Sequence, residues 1–216
     1  ENYLLRYPSG RFSELAQLRL DQVLARRGEK KIETVSDAKN PYSKGSATAN
    51  TRYTVGDRYT YQRLDTYTKI VERTFTTTIL AITDTEVIYS GGLVTNLLGD
   101  RVRSADGRRF TDSQSMPMEF AVGKRWSSRF YAMPPKGGRG TVDMEFRIVT
   151  REPVTVPAGT FDAFRIDAHG WSTGARTGPL QIKMTRWLVP NQVRRPIIIE
   201  THRQSGSKII ESSRDE

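Results

Sequence analysis

The chain has 216 residues, of which 36% are hydrophobic and 9% aromatic, and its formal net charge at pH 7 is +10. This composition supports a folded chain with a modest core, and no apolar run approaches the roughly 18 residues of a membrane-spanning helix. Cysteine is absent, which excludes disulfides, thiolate nucleophiles and cysteine-bound metals.

Residues 9–27 form the first predicted element, and they are the one clear helix in the sequence. Apolar side chains recur there at three- and four-residue spacing, Ser9 is placed to cap the start, and Gly28 is placed to end it. With the preceding Tyr7-Pro8 turn, this segment resembles the end of a tetratricopeptide-type helical array, which implies further helices upstream. A lone helix packed on the rest of the chain is the alternative. Since the chain begins with Glu1 and not with Met, we expect a fragment or processed product whose targeting signal lies upstream.

The next segment is polar, and the pattern then changes to period two. Residues 29–52 contain several turn-forming residues and few large apolar ones, which predicts a linker. From residue 53 onward, β-branched and aromatic residues alternate with polar ones, and short turns intervene. The sequence therefore predicts a helical stub at 1–28, a linker at 29–52 and an antiparallel β domain at 53–216.

The β domain is predicted to be a curved antiparallel sheet, or an open or half-closed barrel, of about nine to eleven strands. Its clearest strand covers residues 69–83, where Val71, Phe75 and Ile79 lie among alternating polar residues. The other predicted strands lie at residues 58–67, 87–89, 118–120, 126–133, 141–150, 180–189, 197–204 and 208–212, with a hairpin at 154–166. The segments 93–98 and 101–103 are candidates for further short strands.

One short pattern occurs twice in the β domain. Residues 55–59, Val-Gly-Asp-Arg-Tyr, are matched by residues 122–126, Val-Gly-Lys-Arg-Trp, and each pattern leads into a predicted strand. It indicates either two copies of one β unit or one turn chemistry used twice, because glycine before a strand readily supplies a positive φ.

Residue types that carry catalysis or bind metals are few. The two histidines, His169 and His202, have no second ligand at helical three- or four-residue spacing, so no zinc site is predicted. Asp143 and Glu145 share a strand face, which is more typical of the solvent side of a sheet than of a catalytic carboxylate pair. The Gly-rich basic segment 136–140 lacks the ending of a P-loop and fits a hairpin loop better. We therefore expect no catalytic residue, no metal and no cofactor.

Binding is the function class that the sequence favours. Residues 101–216 hold twenty Lys and Arg against twelve Asp and Glu, which is typical of an anion-facing surface and equally of a well-solvated one. A curved sheet can also present aromatic side chains on a concave face, although core filling explains any single one of them. Arginines adjoin aromatic residues at Arg58-Tyr59, Arg125-Trp126, Arg129-Phe130 and Arg186-Trp187. On one face such pairs could stack bases and contact phosphates, which would make it a nucleic-acid surface, but no RNP-type motif is present. The candidate ligand-binding residues are Tyr59, Tyr61, Trp126, Arg129, Trp171, Arg186 and Trp187.

A longer pattern lies near the C-terminus. It consists of Val-Pro-Ala-Gly-Thr-Phe at 156–161, Trp-Leu-Val-Pro at 187–190, and an Arg-Pro step into a strand that ends in Glu at 195–200. This combination resembles a family of bacterial cell-envelope β domains of unknown function, and with the Val-Gly-Lys-Arg-Trp segment the resemblance spans residues 56–212. The resemblance implies a barrel-like sheet in a periplasmic or secreted protein, and it assigns no catalytic residue.

Taken together, these features favour a non-catalytic bacterial cell-envelope β domain that binds an apolar ligand, an envelope polymer or a protein partner. The expected partner is a lipid, a glycan or a protein, and the sequence does not determine the oligomeric state. An envelope hydrolase with carboxylate or histidine chemistry in the concave face is the alternative, and a basic nucleic-acid-binding module ranks third.

Overall fold

The computed structural model describes residues 29–30, 47–111, 113–174 and 178–216. Within these residues the secondary structure is almost wholly β, with one 3₁₀ turn at Ser90–Gly92. The predicted helix at residues 9–27 lies outside the described residues, as does most of the predicted linker. Two short strands, β1 (Glu29–Lys30) and β2 (Ala47–Thr48), lie within the linker range.

Thirteen further strands follow in the described part of the chain, and most of them match predicted strands. β8 has no predicted counterpart. The strands are β3 (Arg58–Asp65), β4 (Val71–Ile82), β5 (Glu86–Tyr89), β6 (Val94–Asn96), β7 (Arg101–Arg103), β8 (Arg109–Thr111), β9 (Glu119–Phe120), β10 (Arg125–Met133), β11 (Gly140–Val156), β12 (Gly159–Thr173), β13 (Leu180–Leu188), β14 (Ile198–Ser205) and β15 (Lys208–Asp215).

Twelve of these strands close into one antiparallel barrel. Each strand from β10 to β15 pairs with the next, β15 pairs with β3, and each strand from β3 to β8 again pairs with the next. The ring closes because β8 also pairs with β10, with Thr111 opposite Tyr131 and Arg109 opposite Met133. The predicted open or half-closed sheet is therefore wrong, and the barrel has more strands than the predicted nine to eleven. Closure gives the backbone N–H and C=O groups of β8 hydrogen-bond partners on β10, whereas an open sheet edge would leave these groups unpaired.

Alternation along each strand decides which side chains point into the barrel. On β13, Ile182 and Leu188 are buried on the inner face, whereas Lys183 lies between them in sequence and is exposed. Arg186 occupies the same phase as Ile182 and Leu188, so its side chain also faces inward. The inner face of this strand is therefore mainly apolar, with one cation.

The largest hydrophobic cluster fills one end of the barrel. Trp126 stacks on Phe146 with ring centroids 5.1 Å apart, and Phe120 packs on Phe164 at 5.6 Å. Met116 belongs to the same cluster, and the short β2–β9 pair contributes from the same side. We call residues 113–122 the plug segment, because Met116 and Phe120 pack into this cluster while Ser113, Ser115 and Met116 line the cavity described below.

A second cluster lies beside the long β11–β12 hairpin. A β-bulge between Ile148 and Thr150 shifts the register of this hairpin, and the hairpin beyond the bulge packs on the connection between β13 and β14. Trp187 and Ile198 belong to this cluster. The residues that carry the family resemblance thus serve mainly to pack this hairpin on the barrel.

The repeated pattern builds the same turn twice. Gly56 and Gly123 have φ angles of +95° and +96°. The Gly56 N–H donates to the Ile79 carbonyl at 2.9 Å, and the Gly123 N–H donates to the Ile148 carbonyl at 2.8 Å. Each turn opens a run of six consecutive barrel strands, one beginning at β3 and the other at β10. The two halves of the barrel therefore begin in the same way.

Candidate ligand-binding cavity

The interior of the barrel holds two adjoining chambers. The first chamber has a volume of about 290 Å³ and the second a volume of about 540 Å³. Small-molecule sites typically occupy ~300–1,000 Å³, so the interior has the size of a site for a small ligand. The residues that line both chambers are Leu93, Arg101, Ser104, Asp106, Arg195 and Ile199.

One side of the first chamber is apolar, and we call it the apolar wall. Its side chains come from the inner faces of β8, β10, β11 and β13, where period-two alternation points them away from solvent. Phe110 and Phe130 meet edge to face with centroids 6.1 Å apart. A hydrocarbon group against this surface would be removed from water, which is favourable roughly in proportion to the area buried. The apolar wall consists of Phe110, Phe130, Ala132, Val142, Met144, Phe146, Leu180, Ile182 and Met184.

The rest of the first chamber is strongly basic. Among the described residues, six arginines line it and only one carboxylate does, that of Asp106. Three of the arginines form ion pairs, which are Arg108–Asp106 (3.7 Å), Arg194–Asp57 (3.4 Å) and Arg203–Glu211 (3.0 Å). The other three are Arg101, Arg186 and Arg195, and among the described residues none of them has a carboxylate within ion-pair distance. We call these three the arginine cluster.

Arg186 is held by the plug segment. Its Nη1 donates to Ser115 Oγ at 3.1 Å, and Ser115 in turn donates from its hydroxyl and its backbone N–H to Asp100 Oδ1. Asp100 is 2% exposed and also accepts the Met116 N–H at 2.8 Å. Burial raises the pKa of the Asp100 carboxyl, although these hydrogen bonds oppose the shift. Asp100 therefore fixes the plug segment, and the plug segment fixes Arg186 at the floor of the chamber.

Arg195 is held by tyrosines. Its Nε donates to Tyr61 Oη at 3.4 Å, and the Tyr61 hydroxyl donates to the Pro196 carbonyl at 2.7 Å. The guanidinium also lies over the ring of Tyr89, 5.0 Å from its centroid. A cation over an aromatic face is stabilised by the negative face of the ring. These contacts position the charge of Arg195 at the boundary between the two chambers.

Arg101 is the least compensated member of the arginine cluster. Its side chain keeps a large solvent-accessible surface and borders both chambers. Burial lowers the pKa of Arg101 to about 10, and repulsion from Arg186, Arg203 and Arg195 acts in the same direction. Burial likewise lowers the pKa of Arg186 to about 10. Both guanidinium groups stay charged at neutral pH, so the chamber carries a concentrated positive charge.

Unused hydrogen-bond donors add to this character. Among the described residues, the Nε atoms of Arg108, Arg194 and Arg203 are buried without a hydrogen-bond partner, and all three side chains line the first chamber. A buried donor without a partner costs about 1–3 kcal/mol.

Four of the residues predicted from the sequence lie inside the barrel. Arg186 lines the first chamber and Tyr61 the second. Tyr59 packs beside them, against the buried cluster of β4 and β5. Trp126 is 2% exposed and donates its indole N–H to the carbonyl of Gln114 at 2.9 Å. Trp126 thus belongs to the largest hydrophobic cluster and borders neither chamber.

The other three predicted residues lie on the outer face. Arg129 pairs there with Asp143, and Trp171 is 50% exposed. Trp187 is half-buried and donates its indole N–H to Glu152 Oε1 at 2.7 Å. Consecutive residues of a strand point to opposite faces, so the Arg–aromatic neighbours in the sequence do not form one shared surface.

Sequence reasoning missed five of the six arginines of the first chamber, among them Arg101, Arg195 and Arg203. Arg203 is in phase with Ile199 and Thr201, which also line the chamber, so the period of β14 could have identified it. Arg101 lies on a three-residue strand, which is too short to show a period. Arg195 lies in a connection and reaches the chamber only through tertiary contacts.

The histidines and most carboxylates lie away from the chambers. His169 faces Glu145 at 3.5 Å on the outer surface, where both side chains are about 70% exposed. His202 contacts Ser212 and Gln204. In the described part of the chain, no group of three metal-ligating side chains is close enough to hold a metal ion. Within the same residues, no helix has the length and apolar character needed to cross a membrane.

The comparison with known proteins does not identify a family for this chain. No protein family, no curated protein and no solved structure matches the chain. The functional argument therefore depends on the two chambers and the residues that line them.

Proposed function

We propose that the protein is a non-catalytic β-barrel domain whose interior binds a small ligand that carries a hydrocarbon chain. The observation that carries the proposal is the apolar wall, which faces a cavity inside a closed barrel. Nine apolar side chains converge there, and a cavity of this kind with a few polar groups is the usual form of a small-molecule site.

The dimensions of the chambers favour one of the expected partners over the others. A folded protein or an extended polymer needs an open surface, whereas the first chamber has a volume of only about 290 Å³. A glycan would need many hydrogen-bond partners, but the apolar wall offers almost none. A single lipid-like chain fits both the volume and the lining, so a lipid is the partner that we propose.

A bacterial cell-envelope location, periplasmic or secreted, is part of the same proposal. It is supported by the resemblance of residues 156–200 to envelope β domains. A lipid-binding domain also has an evident use there, because lipids must cross an aqueous space between membranes.

A neutral fluorescent probe tests whether the apolar wall binds an apolar ligand. N-phenyl-1-naphthylamine should bind saturably with increased fluorescence, and hexadecanol should displace it. Leu180→Trp adds bulk to the apolar wall and should lower the affinity for the probe by about tenfold or more, because it displaces at least two buried CH₂ equivalents.

Lys183→Trp is the matched control on the same strand. Lys183 is exposed on the outer face of β13, so a Trp there should leave the affinity unchanged. Equal probe binding by both variants and the wild type would show that the probe binds outside the barrel, and the proposal would then fail.

A further inference from the structure

We infer that the ligand carries an anionic head group, a carboxylate or a phosphate, and that Arg101, Arg186 and Arg195 bind it. This inference rests on the proposed function, since it assigns the head group of the ligand whose chain lies on the apolar wall. The shared chemistry is a charged oxygen acceptor at the end of a hydrocarbon chain.

The first support is the number of uncompensated charges in the arginine cluster. Removing one partner of a buried ion pair is strongly destabilising, because it leaves a buried charge without compensation. Three guanidinium groups that have no carboxylate within ion-pair distance among the described residues are gathered in one chamber, whereas the other arginines of that chamber have carboxylate partners. An anion bound among the three would supply the missing compensation.

The second support is the identity of the cations. In the part of the chain that the structure describes, all six basic residues that line the first chamber are arginines, and none is a lysine. The planar guanidinium matches two oxygens of a carboxylate or phosphate at once, and it is more weakly hydrated than an ammonium group. Arginine is therefore the side chain suited to holding an oxyanion out of water.

The third support is the continuity of the two surfaces. Leu180, Ile182, Met184 and Arg186 follow one another along the inner face of β13 and all line the first chamber. From Leu180 to Arg186 the strand rises about 20 Å. An extended hydrocarbon chain can therefore lie along the apolar wall with its head group at Arg186.

The position of Arg101 and Arg195 completes the site. Both line the two chambers together, so their guanidinium groups lie where the chambers meet. Repulsion from Arg186 and Arg195 contributes to the lowered pKa of Arg101, and all three side chains line the first chamber.

Three ligands with the same hydrocarbon chain test the inference on the whole protein. Hexadecyl phosphate, hexadecanoate and hexadecanol are compared by displacement of N-phenyl-1-naphthylamine at one ionic strength. Both anions should bind at least about tenfold more tightly than the alcohol, because hydrogen bonds to charged groups are the stronger ones. The tighter of the two anions then identifies the head-group chemistry.

Variants of the arginine cluster show where the head group binds. Arg186→Gln and Arg101→Gln should each lower the affinity for the anions by about tenfold to a hundredfold, and they should leave the affinity for hexadecanol unchanged. Lys183→Gln, on the outer face of β13, is the control and should change neither.

The outcomes separate this inference from the proposed function. Equal affinity for the alcohol and the anions would overturn the inference about the head group, but it would leave intact the proposal that the apolar wall binds a hydrocarbon chain. Failure of all three ligands to bind would overturn both. A purely structural role of the arginines is tested by thermal melts without ligand. Arg101→Gln should melt at or above the wild-type temperature, since it removes repulsion, and a melting temperature more than about 4 °C lower would overturn the inference.

Discussion

Gly170 on β12 occupies a position where the barrel has no room for a methyl group. A Cβ at this residue would lie 1.9 Å from the carbonyl oxygen of Asp143, and 2.8 Å from both Cα and Sδ of Met144. Met144 is the residue directly opposite Gly170 in the β11–β12 ladder. Because two of the three contacts are with backbone atoms, a change of rotamer cannot relieve them, and Gly170→Ala must force the two strands apart.

The expected cost follows from two effects. Overpacking of this kind typically costs about 1–3 kcal/mol, and each ladder hydrogen bond that lengthens or breaks adds about 1 kcal/mol. With two such bonds affected, the free energy of unfolding should fall by about 3–5 kcal/mol. In a chain of this size each kcal/mol lowers the melting temperature by about 2–4 °C, so a decrease on the order of 10 °C is expected.

Thermal melts followed by circular dichroism measure this decrease directly. Gly140→Ala is the matched control, because Gly140 lies on β11 of the same strand pair and its added Cβ would meet its closest atom, the Thr173 carbonyl oxygen, at 3.2 Å. That contact needs only a small adjustment, so the control should change the melting temperature by a few degrees at most. If Gly170→Ala melts no lower than Gly140→Ala, the close approach of β11 and β12 at this point is refuted.

Three further predictions concern the carboxylates and the repeated turn. Asp100→Ala leaves two buried N–H groups without their acceptor and should cost about 3 kcal/mol in urea unfolding, whereas the exposed Asp84→Ala should cost almost nothing, and equal losses would contradict this role of Asp100. In a carboxyl titration by NMR, Asp65 should titrate below 3.8, because a backbone hydrogen bond in its turn lowers its pKa, and Asp100 should titrate above 3.8, because burial raises its pKa. Asp65 therefore stabilises the folded state above pH 3.8, and this stabilisation is lost as the pH falls through the folded pKa of Asp65. Asp100 has the opposite effect, because it lowers the stability of the folded state as the pH rises from 3.8 through its folded pKa. Titration midpoints in the opposite order would refute both assignments. Gly56→Ala and Gly123→Ala should each cost about 1–2 kcal/mol at their positive φ, and melts that differ strongly between the two would show that the turns are not equivalent.

Much of the barrel could be predicted because its long strands carry a local signal. β4 contains Phe75 and Ile79 among exposed threonines, and that alternation alone predicts a strand with one buried face. Closure could not be predicted in this way. It depends on β8, whose three residues pair with β10 some twenty positions further along the chain, and no local pattern reports such a pairing.

The residues of the candidate site were likewise predictable only where a local sequence pattern reports them. Arg186 was found, but only because it adjoins Trp187 in the sequence, and the two side chains point to opposite faces of β13. The phase of the strand was the better guide, since it relates Arg186 to Ile182 and Leu188 on the inner face. Arg195 shows the limit of any pattern, because its contacts with Tyr61 and Tyr89 are made across the barrel.

The arginine cluster is the place where the fold departs from what stability alone would select. Leu188 and Ile182 show that apolar side chains fill the inner face of β13 without strain, and replacing buried charges by apolar residues is often neutral or stabilising. Arg186 nevertheless occupies the position between them, and Arg101 lies nearby with no carboxylate partner among the described residues. Local rules of folding are most often broken at functional sites. If an anion binds among these charges as we infer, it supplies the compensation that they lack, and the barrel with its ligand is expected to be more stable than the barrel alone.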